Sequence, residues 1–146
     1  MRKSLALVLA IALLTLAFPV DSAAQEAAAG VKHTDVDWYF VSFAKFKEGT
    51  EQAALGIIYD HFIQADRAVG RDPLAFDFAT GAWDHVVFFP LAGGPTDLEW
   101  EVRPIDAEWF AALAELQGGA EEAQALLTRF SDMVQDSEVH VVRKRR

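Results

Sequence analysis

The alternation of apolar and polar positions predicts a strand and then a helix in the first half of the chain. Val36 to Phe46, VDWYFVSFAKF, carries aromatic and β-branched residues at both odd and even positions, which favours a strand covered on both faces. Thr50 predicts a helix N-cap, and Gly70 stands where a C-cap glycine belongs. Between them, apolar residues recur at steps of three and four, at Leu55, Ile58, Phe62, Ala65 and Val69.

A β-hairpin is predicted after this helix. Leu74 to Ala79 alternates large apolar residues with small or charged ones, Thr80 to Ala82 forms a tight connection, and Trp83 to Phe89 forms the second strand. Because side chains alternate along a strand, one face of the second strand is predicted to present Trp83, His85, Val87 and Phe89.

The second half of the chain predicts an arm, two helices and a last strand. Asp97 to Arg103, DLEWEVR, alternates apolar and charged residues and is predicted to be a half-exposed strand or an extended arm. Its apolar residues, Leu98, Trp100 and Val102, are expected to pack against a neighbour, within the chain or in a second copy. The later predictions are a helix over Ala107 to Gln117 capped by Asp106, a helix over Ala120 to Gln135, and a strand over Val139 to Val142.

This order of elements predicts an α+β fold. A strand, a helix, two strands, a helical region and a strand close into one antiparallel sheet as the ferredoxin-like split βαβ sandwich, with helices on one face. The strand Val36 to Phe46 is apolar on both faces, so the face without helices needs a cover. A second copy of the chain is the expected cover, which predicts a homodimer.

The element order and the opening FAKFKEGTEQAALGIIYDHF, residues 43–62, resemble the dimeric α+β barrel superfamily. Its small members include cofactor-free monooxygenase-like proteins, EthD-like proteins and stress-response barrel proteins. The resemblance spans residues 36–142 and lies in the fold, not in a catalytic motif. It implies a dimeric α+β barrel, no cofactor, and an enzymatic role by analogy only.

The first residues predict export. A basic start is followed by an apolar run, Leu5 to Phe18, and by small residues before Gln25, which together are typical of a cleavable signal peptide over residues 1–24. The run is shorter than the roughly 20 residues that span a bilayer. A periplasmic or secreted protein is therefore expected, with a disordered leader over residues 25–34 and one domain over residues 35–146.

Composition narrows the partners. The net charge is −9, which argues against nucleic acid and against anionic membranes as partners after signal cleavage. The chain has no cysteine, which removes thiol chemistry. The predicted function is binding of a small apolar ligand or a partner protein. The alternative is a cofactor-free enzyme of the oxygenase or isomerase type that acts on a small aromatic or apolar compound.

The candidate catalytic residues are His85, His61 and Asp77. Asp77 is a carboxylate inside an apolar run and needs a partner, and a short hairpin turn would place it nearly opposite His85. His61 lies on the flank of the predicted helix, from which it is expected to reach between helix and sheet. The alternatives stay open: a core histidine at 85, a solvated histidine at 61, and an aspartate at 77 that reaches water.

The candidate ligand pocket is aromatic, and core or interface packing is the alternative for these residues. Its predicted lining is Trp38, Tyr39, Trp83, Phe89 and Trp100. No metal and no cofactor is predicted. A weaker alternative is the alternating set His33, Asp35 and Asp37, which would present nitrogen and oxygen ligands on one side of an extended chain.

Overall fold

Strand β1 lies inside a four-stranded sheet because its aromatic and β-branched residues find partners on both edges. The computed structural model describes residues 32–146. The strands are β1 (Val36–Phe46), β2 (Leu74–Asp77), β3 (His85–Leu91) and β4 (Val134–Arg145). The helices are α1 (Glu51–Ile57, continued by Ile58–Phe62 and Ile63–Ala68), α2 (Pro104–Gln117) and α3 (Ala120–Met133), with a short 3-10 helix over Gly94–Glu99.

The sheet has the strand order β2-β3-β1-β4, and all its neighbouring strands are antiparallel. This is the order that the split βαβ arrangement requires, with β1 and β3 in the middle. The α+β prediction, with an antiparallel sheet and a helical layer, is therefore confirmed. The bounds of β1 also agree with the predicted Val36 to Phe46.

The helices cover one face of the sheet. Ser42 and Ala44 of β1 and His85, Val87 and Phe89 of β3 face them across a cleft. The helices are joined to one another by a core in which Ala65, Leu113 and Ala123 are fully buried. The small alanines allow the three helices to approach closely. A second core, in which Phe46 of β1 packs with Ala54 and Ile58 of α1, joins the helices to one end of the sheet.

The opposite face, which we call the aromatic face, carries rings that touch one another in edge, tilted and stacked pairs. At its β2 end, Leu74, Phe76 and Phe78 are 50%, 55% and 39% exposed, whereas Val41 and Val86 nearer its middle are buried. Its aromatic members are Tyr39, Phe43, Phe76, Phe78, Trp83 and Phe88.

Helix α1 contains a π-helical segment, Ile58–Phe62, in its middle. Such a segment accommodates one extra residue in a turn and thereby changes the angle at which the following side chains leave the helix. Ile58 remains buried, while Tyr59 is directed to the β2 edge of the sheet. The 3.6-residue period of the sequence therefore predicts the helix but not its π-helical segment, after which the side chains leave the helix at a different angle.

Three boundary predictions for the second half are wrong. Helix α3 ends at Met133 and not at Gln135, and β4 runs from Val134 to Arg145 and not only over Val139 to Val142. The strand is longer because its backbone pairs with β1 along nearly all of its length, whatever its polar side chains. Helix α2 begins at Pro104, since proline is favoured in the first helical turn, so Asp106 lies inside the helix and does not cap it.

The predicted arm is also different. Its first half belongs to the 3-10 helix, where the Asp97 carboxylate accepts a hydrogen bond from Gly93 N and the Thr96 hydroxyl donates one to Gly93 O. These local side-chain bonds compete successfully with an extended conformation. Leu98, Trp100 and Val102 are 51%, 58% and 62% exposed, so the expected packing within the chain is absent from the described residues.

The predicted signal peptide and most of the leader lie outside the described residues. Lys32 to Thr34, the described end of that leader, form neither helix nor strand. Among residues 32–146, no helix is both long enough and apolar enough to cross a membrane.

Candidate functional site

The hairpin of β2 and β3 pairs Asp77 directly with His85. They are opposite each other in the strand register, and Asp77 Oδ1 lies 2.7 Å from His85 Nδ1. The carboxylate can only accept in this contact, so Nδ1 carries the proton. In the neutral ring, Nε2 is then a hydrogen-bond acceptor. The geometry that the hairpin predicted for these two side chains is present in the structure.

Tyr59 adds a third group that the sequence did not reveal. Its hydroxyl lies 3.1 Å from both Oδ1 and Oδ2 of Asp77, and its ring contacts the His85 ring edge-on with centroids 6.1 Å apart. Burial raises the pKa of Tyr59, and the hydrogen bond and negative charge of Asp77 raise it further. Tyr59 therefore stays protonated and helps to hold the carboxylate in position.

His85 is almost completely buried, with 2% of its surface exposed. Its Nε2 has no hydrogen-bond partner, and it is the one side-chain nitrogen or oxygen in the described part of the chain for which this holds while buried. Buried polar groups in proteins are usually paired, and an exception calls for an explanation. The unpaired atom belongs to the same ring that Asp77 holds in a fixed orientation.

His85 lines a cavity between the sheet and the helices, which we call the histidine cavity. Its volume is about 570 Å³. Apolar side chains from the sheet and from helices α1 and α3 form much of its wall, and the beginning of β4 supplies polar groups at its edge. The apolar members are Ala44, Ile58, Phe62, Ile63, Pro73, Val87, Phe89, Phe130 and Val134.

A second cavity, of about 440 Å³, lies at the other end of the cleft and is called the arginine cavity here. Arg71 Nε donates to Asp66 Oδ1 at 2.6 Å, and Arg71 Nη1 donates to Asp106 Oδ1 at 2.9 Å. Arg103 donates to both oxygens of Asp106, at 2.7 and 2.8 Å. The guanidinium of Arg71 also lies over Phe89, 5.0 Å from the ring centroid.

The two carboxylates of the arginine cavity differ in their pKa. Burial raises the pKa of Asp66, and the charge and hydrogen bond of Arg71 only partly oppose this effect. Burial also acts to raise the pKa of Asp106, but hydrogen bonds and charge from Arg103 and Arg71 outweigh it, so this pKa is lowered. Asp106 is therefore the firmly ionised partner of both guanidiniums.

His61 does not join the site, and that prediction is wrong. Its Nδ1 lies 3.0 Å from Gln117 Nε2, at the C-terminal end of helix α2. The neighbour of His61 on the flank of helix α1 is another helix and not the sheet. No contact between His61 and Asp77 or His85 occurs.

The predicted aromatic pocket does not assemble either. Trp38 lies against the 3-10 helix, where a Cβ at Gly94 would come within 3.3 Å of its Cδ1. Tyr39 and Trp83 contact Phe88 and Phe43 on the aromatic face, and Trp100 is exposed. Phe89 alone among the five predicted residues lines the two cavities.

Trp83 is on the opposite face from His85 because β3 begins only at His85. Asp84 leaves the regular alternation: its N donates to Ala44 O at 3.0 Å, and its carboxylate accepts a hydrogen bond from Phe46 N at 2.7 Å. The residue before it is therefore displaced to the aromatic face, where Trp83 and Phe43 have ring centroids 5.8 Å apart.

The alternating histidine and aspartates at the start of the domain form no metal site in the structure. Asp37 accepts two hydrogen bonds from Arg146, at 2.9 and 2.8 Å. Within residues 32–146, no group of three histidine or acidic side chains is arranged to hold a metal ion.

Comparison with known proteins supports the fold. No family model matches the chain, and no curated protein does. A NIPSNAP family protein of unknown function from Agrobacterium tumefaciens has a similar structure, with a TM-score of 0.53, 18% identity, and coverage of 78% of this chain and 93% of that one. An uncharacterised NIPSNAP domain protein from Burkholderia xenovorans gives a TM-score of 0.46 and 13% identity, covering 72% and 91%.

At this level of identity the likeness is one of fold. The Agrobacterium structure shares the α+β arrangement and matches over most of both chains. A ferredoxin-like, barrel-forming domain is compatible with it. The likenesses to monooxygenase-like, EthD-like and stress-response barrel proteins stay predictions.

Proposed function

We propose that this protein binds a small, mainly apolar molecule in the histidine cavity. The observation that carries the proposal is the buried and unpaired Nε2 of His85, on a ring whose other nitrogen is held by Asp77. A buried polar atom without a partner costs about 1–3 kcal/mol. A ligand with a hydroxyl or another donor at this position would remove that cost while its apolar part fills the rest of the cavity.

The lining supports an apolar ligand. The face of the cavity opposite His85 is formed by Ile58, Phe62 and Ile63 of helix α1, and Val87 and Phe89 extend the apolar wall along β3. Ligand sites are commonly concave, apolar and supplied with a few polar groups that fix orientation. His85 is such a group, since its orientation is set before any ligand arrives.

A second candidate function is proton transfer without a cofactor, of the isomerase or oxygenase type. The observation that favours it is the chain of contacts from Tyr59 to Asp77 to His85. A carboxylate behind a histidine fixes the tautomer and stabilises the imidazolium that forms when Nε2 takes a proton. In an isomerisation, His85 would remove a proton from one carbon of the substrate and return it to another, with no net redox change.

Octan-1-ol is a suitable probe of the first proposal, because it combines one hydroxyl with an apolar chain. Its binding is followed by the ring signals of the histidines in two-dimensional NMR. We expect the His85 signal to shift, and His85→Phe to weaken binding about five- to tenfold, as expected for one lost hydrogen bond. His140→Phe, a change at an exposed histidine, serves as the matched control and should leave binding unchanged. An unmoved His85 signal would contradict the proposal.

The catalytic candidate is tested with octan-2-one in heavy water. Protein-dependent exchange of the hydrogens next to the carbonyl, lost in His85→Asn and reduced in Asp77→Asn, would support proton transfer. If the ketone binds but its hydrogens exchange no faster than in buffer, the catalytic candidate is contradicted and only the binding function is supported.

We also propose that two copies of the chain associate through their aromatic faces. Two observations support this: the helices cover only the other face, and three large apolar side chains of the aromatic face are exposed by 39% or more. Exposed apolar patches of this kind are typical of interaction surfaces. Because both faces of β1 are apolar, a second copy of the chain is the partner that we propose to cover the aromatic face.

Export to the periplasm or the medium is part of the same proposal. It rests on the basic, apolar and small-residue pattern of residues 1–24. Mass measurement of the protein purified from a host periplasm would give both the cleavage site and any small molecule that the cavity retains. Recovery of the uncleaved chain in the cytoplasmic fraction would contradict export.

A further inference from the structure

The histidine cavity and the arginine cavity are neighbours in one cleft. Phe62, Asp66 and Phe89 line both of them. Phe62 and Asp66 are one helical turn apart on α1, and Phe89 faces them from β3. The two cavities therefore meet at two rings and a carboxylate, and a ligand that passes between the rings would enter both.

The length of this cleft follows from the lengths of the strand and helix segments that form its walls. His85 and Phe89 are four residues apart on β3, which corresponds to roughly 13 Å along a strand. Ile58 and Asp66 are eight residues apart on α1, which corresponds to roughly 12 Å along a helix. The two walls thus extend over similar distances, with His85 near one end and the guanidinium of Arg71 over the Phe89 ring at the other.

The arginine cavity offers hydrogen-bond donors beside apolar rings. Trp109 and Phe110 line it, and Arg71 stacks over Trp109 at 5.7 Å from the centroid. Arg103 stacks over Phe40 at 5.9 Å and uses its Nε and Nη2 on Asp106. Within residues 32–146, its Nη1 has no hydrogen-bond partner. Stacking of this kind holds a guanidinium plane in place and leaves its edge for a planar acceptor.

We infer that the arginine cavity is a carboxylate subsite and that the ligand is an amphipathic carboxylic acid whose apolar body lies along Phe62, Val87 and Phe89. This inference rests on the proposed binding function of the histidine cavity and names the chemical class of its ligand. The acid group accepts from Arg103 Nη1 and from a remaining Arg71 hydrogen. The other end of the molecule, with its hydrogen-bonding group, lies at His85 Nε2.

The test compares 8-hydroxyoctanoate with octan-1-ol, which share the hydroxyl for His85 and differ in the acid group at the other end, by calorimetry and by the same histidine NMR signals. We expect the wild-type protein to bind 8-hydroxyoctanoate about tenfold more tightly, since hydrogen bonds to charged groups are stronger than neutral ones. Arg103→Gln should remove this preference while octan-1-ol binding stays within about twofold. Arg103→Lys, which keeps the charge but loses the planar fork, should keep only part of the preference.

Arg67→Gln is the matched control, because Arg67 is an exposed arginine on helix α1 outside both cavities. It should change neither affinity. Equal binding of the two probes in the wild type, with a shifted His85 signal, would overturn the carboxylate subsite and leave the proposed function standing. An unmoved His85 signal with octan-1-ol would instead contradict the proposed function, whatever the affinity for 8-hydroxyoctanoate.

Discussion

The two faces of the sheet use similar residues in different ways. On the aromatic face, rings such as Tyr39, Phe43 and Phe88 touch one another and leave apolar surface exposed at the β2 end. On the helix-covered face, the rings of Phe62 and Phe89 border two cavities, and polar groups lie among them. The aromatic face is thus partly exposed to solvent, whereas the helix-covered face lines two cavities that contain ionisable side chains.

This difference follows from what covers each face. The helices pack closely to one another through their alanines, and the sheet meets them across a cleft that their side chains do not fill. The polar pair of Asp77 and His85 is stabilised in that cleft in two ways. Tyr59 donates a hydrogen bond to Asp77, and the pairing of β2 with β3 places the two residues opposite each other. Aromatic content alone therefore does not identify a ligand site, because aromatic rings are abundant on both faces of the sheet, whereas the two cavities lie on the helix-covered face.

The largest effect is expected from removing Arg71, one of the two arginines in the arginine cavity of the helix-covered face. Arg71→Ala leaves Asp66, which is 3% exposed, without its hydrogen-bonded partner and removes the stacking on Phe89. Loss of one partner of a buried pair costs about 3–5 kcal/mol. Urea denaturation should show this loss, and Arg67→Ala, at an exposed position of the same helix, should cost less than about 0.5 kcal/mol.

The pH dependence of that variant gives an independent check. The pKa of Asp66 is already raised by burial, and it should rise further without Arg71. A carboxyl group with a raised pKa in the folded state favours folding when protonated, so stability is lost as the pH rises through that value. The destabilisation of Arg71→Ala should therefore be smaller in acid than at neutral pH. A constant difference at all pH values would show that Asp66 is not the group left unpaired.

The next effect concerns association through the aromatic face. Phe76 and Val139 are 55% and 51% exposed on edge strands, but they point to opposite faces of the sheet. Phe76→Asp should shift the protein from dimer to monomer in sedimentation velocity at micromolar concentration, because a charge would be buried at the interface. Val139→Asp is the matched change and should leave the dimer intact. A wild-type protein that sediments as a monomer would contradict the proposed dimer.

A smaller effect is expected at the tyrosine of the site. The pKa of Tyr59 is raised by burial and by Asp77, so Asp77→Asn should lower it. Ultraviolet titration detects the change, and Tyr59→Phe identifies which of the two tyrosines is responsible. Because the folded state holds this proton, its stabilising contribution is present below the ordinary tyrosine pKa and is lost as the pH rises through the raised value. An unchanged titration in Asp77→Asn would show that the carboxylate does not act on Tyr59.

The smallest effect is expected at Trp100. With 58% of its surface exposed and a position outside the helical core, Trp100→Ala should change the free energy of unfolding of the monomer by less than about 0.5 kcal/mol. Urea denaturation of the Phe76→Asp background measures this without a contribution from association. A loss of more than 1 kcal/mol would indicate packing within the chain that the exposure of the side chain does not suggest.

The parts of the structure that sequence predicted are those set by local pattern. The apolar run of β1, the helical spacing of Ile58 and Ala65, and the short hairpin that pairs Asp77 with His85 follow from periodicity and turn length. Each of these depends on residues within a few positions of one another or on one short connection between neighbouring strands. The order of strands follows from the same elements through general rules of connection.

The parts that sequence missed depend on contacts between distant elements. Periodicity shows which residues of a strand share a face, but it does not show which face the helices cover, so Tyr39 and Trp83 lie on the aromatic face and not in the predicted pocket. The sequence pattern favours Asp106 as a cap because it does not show the pairing of Asp106 with Arg71, which is 35 positions away. The 3.6-residue period does not indicate where Tyr59 points because a π-helical segment departs from that period.

That π-helical segment also gives helix α1 one residue more than a regular helix along the same path would have. Deleting one residue from Ile58–Phe62 would restore a regular helix, in which Glu51–Ile57 keeps nearly its present orientation relative to Ile63–Ala68. Ala54 and Ala65 would then stay in their buried positions, whereas the direction of Tyr59 toward Asp77 would be lost. A relative of this chain that lacks the extra residue should therefore keep the fold but not the tyrosine contact of the site.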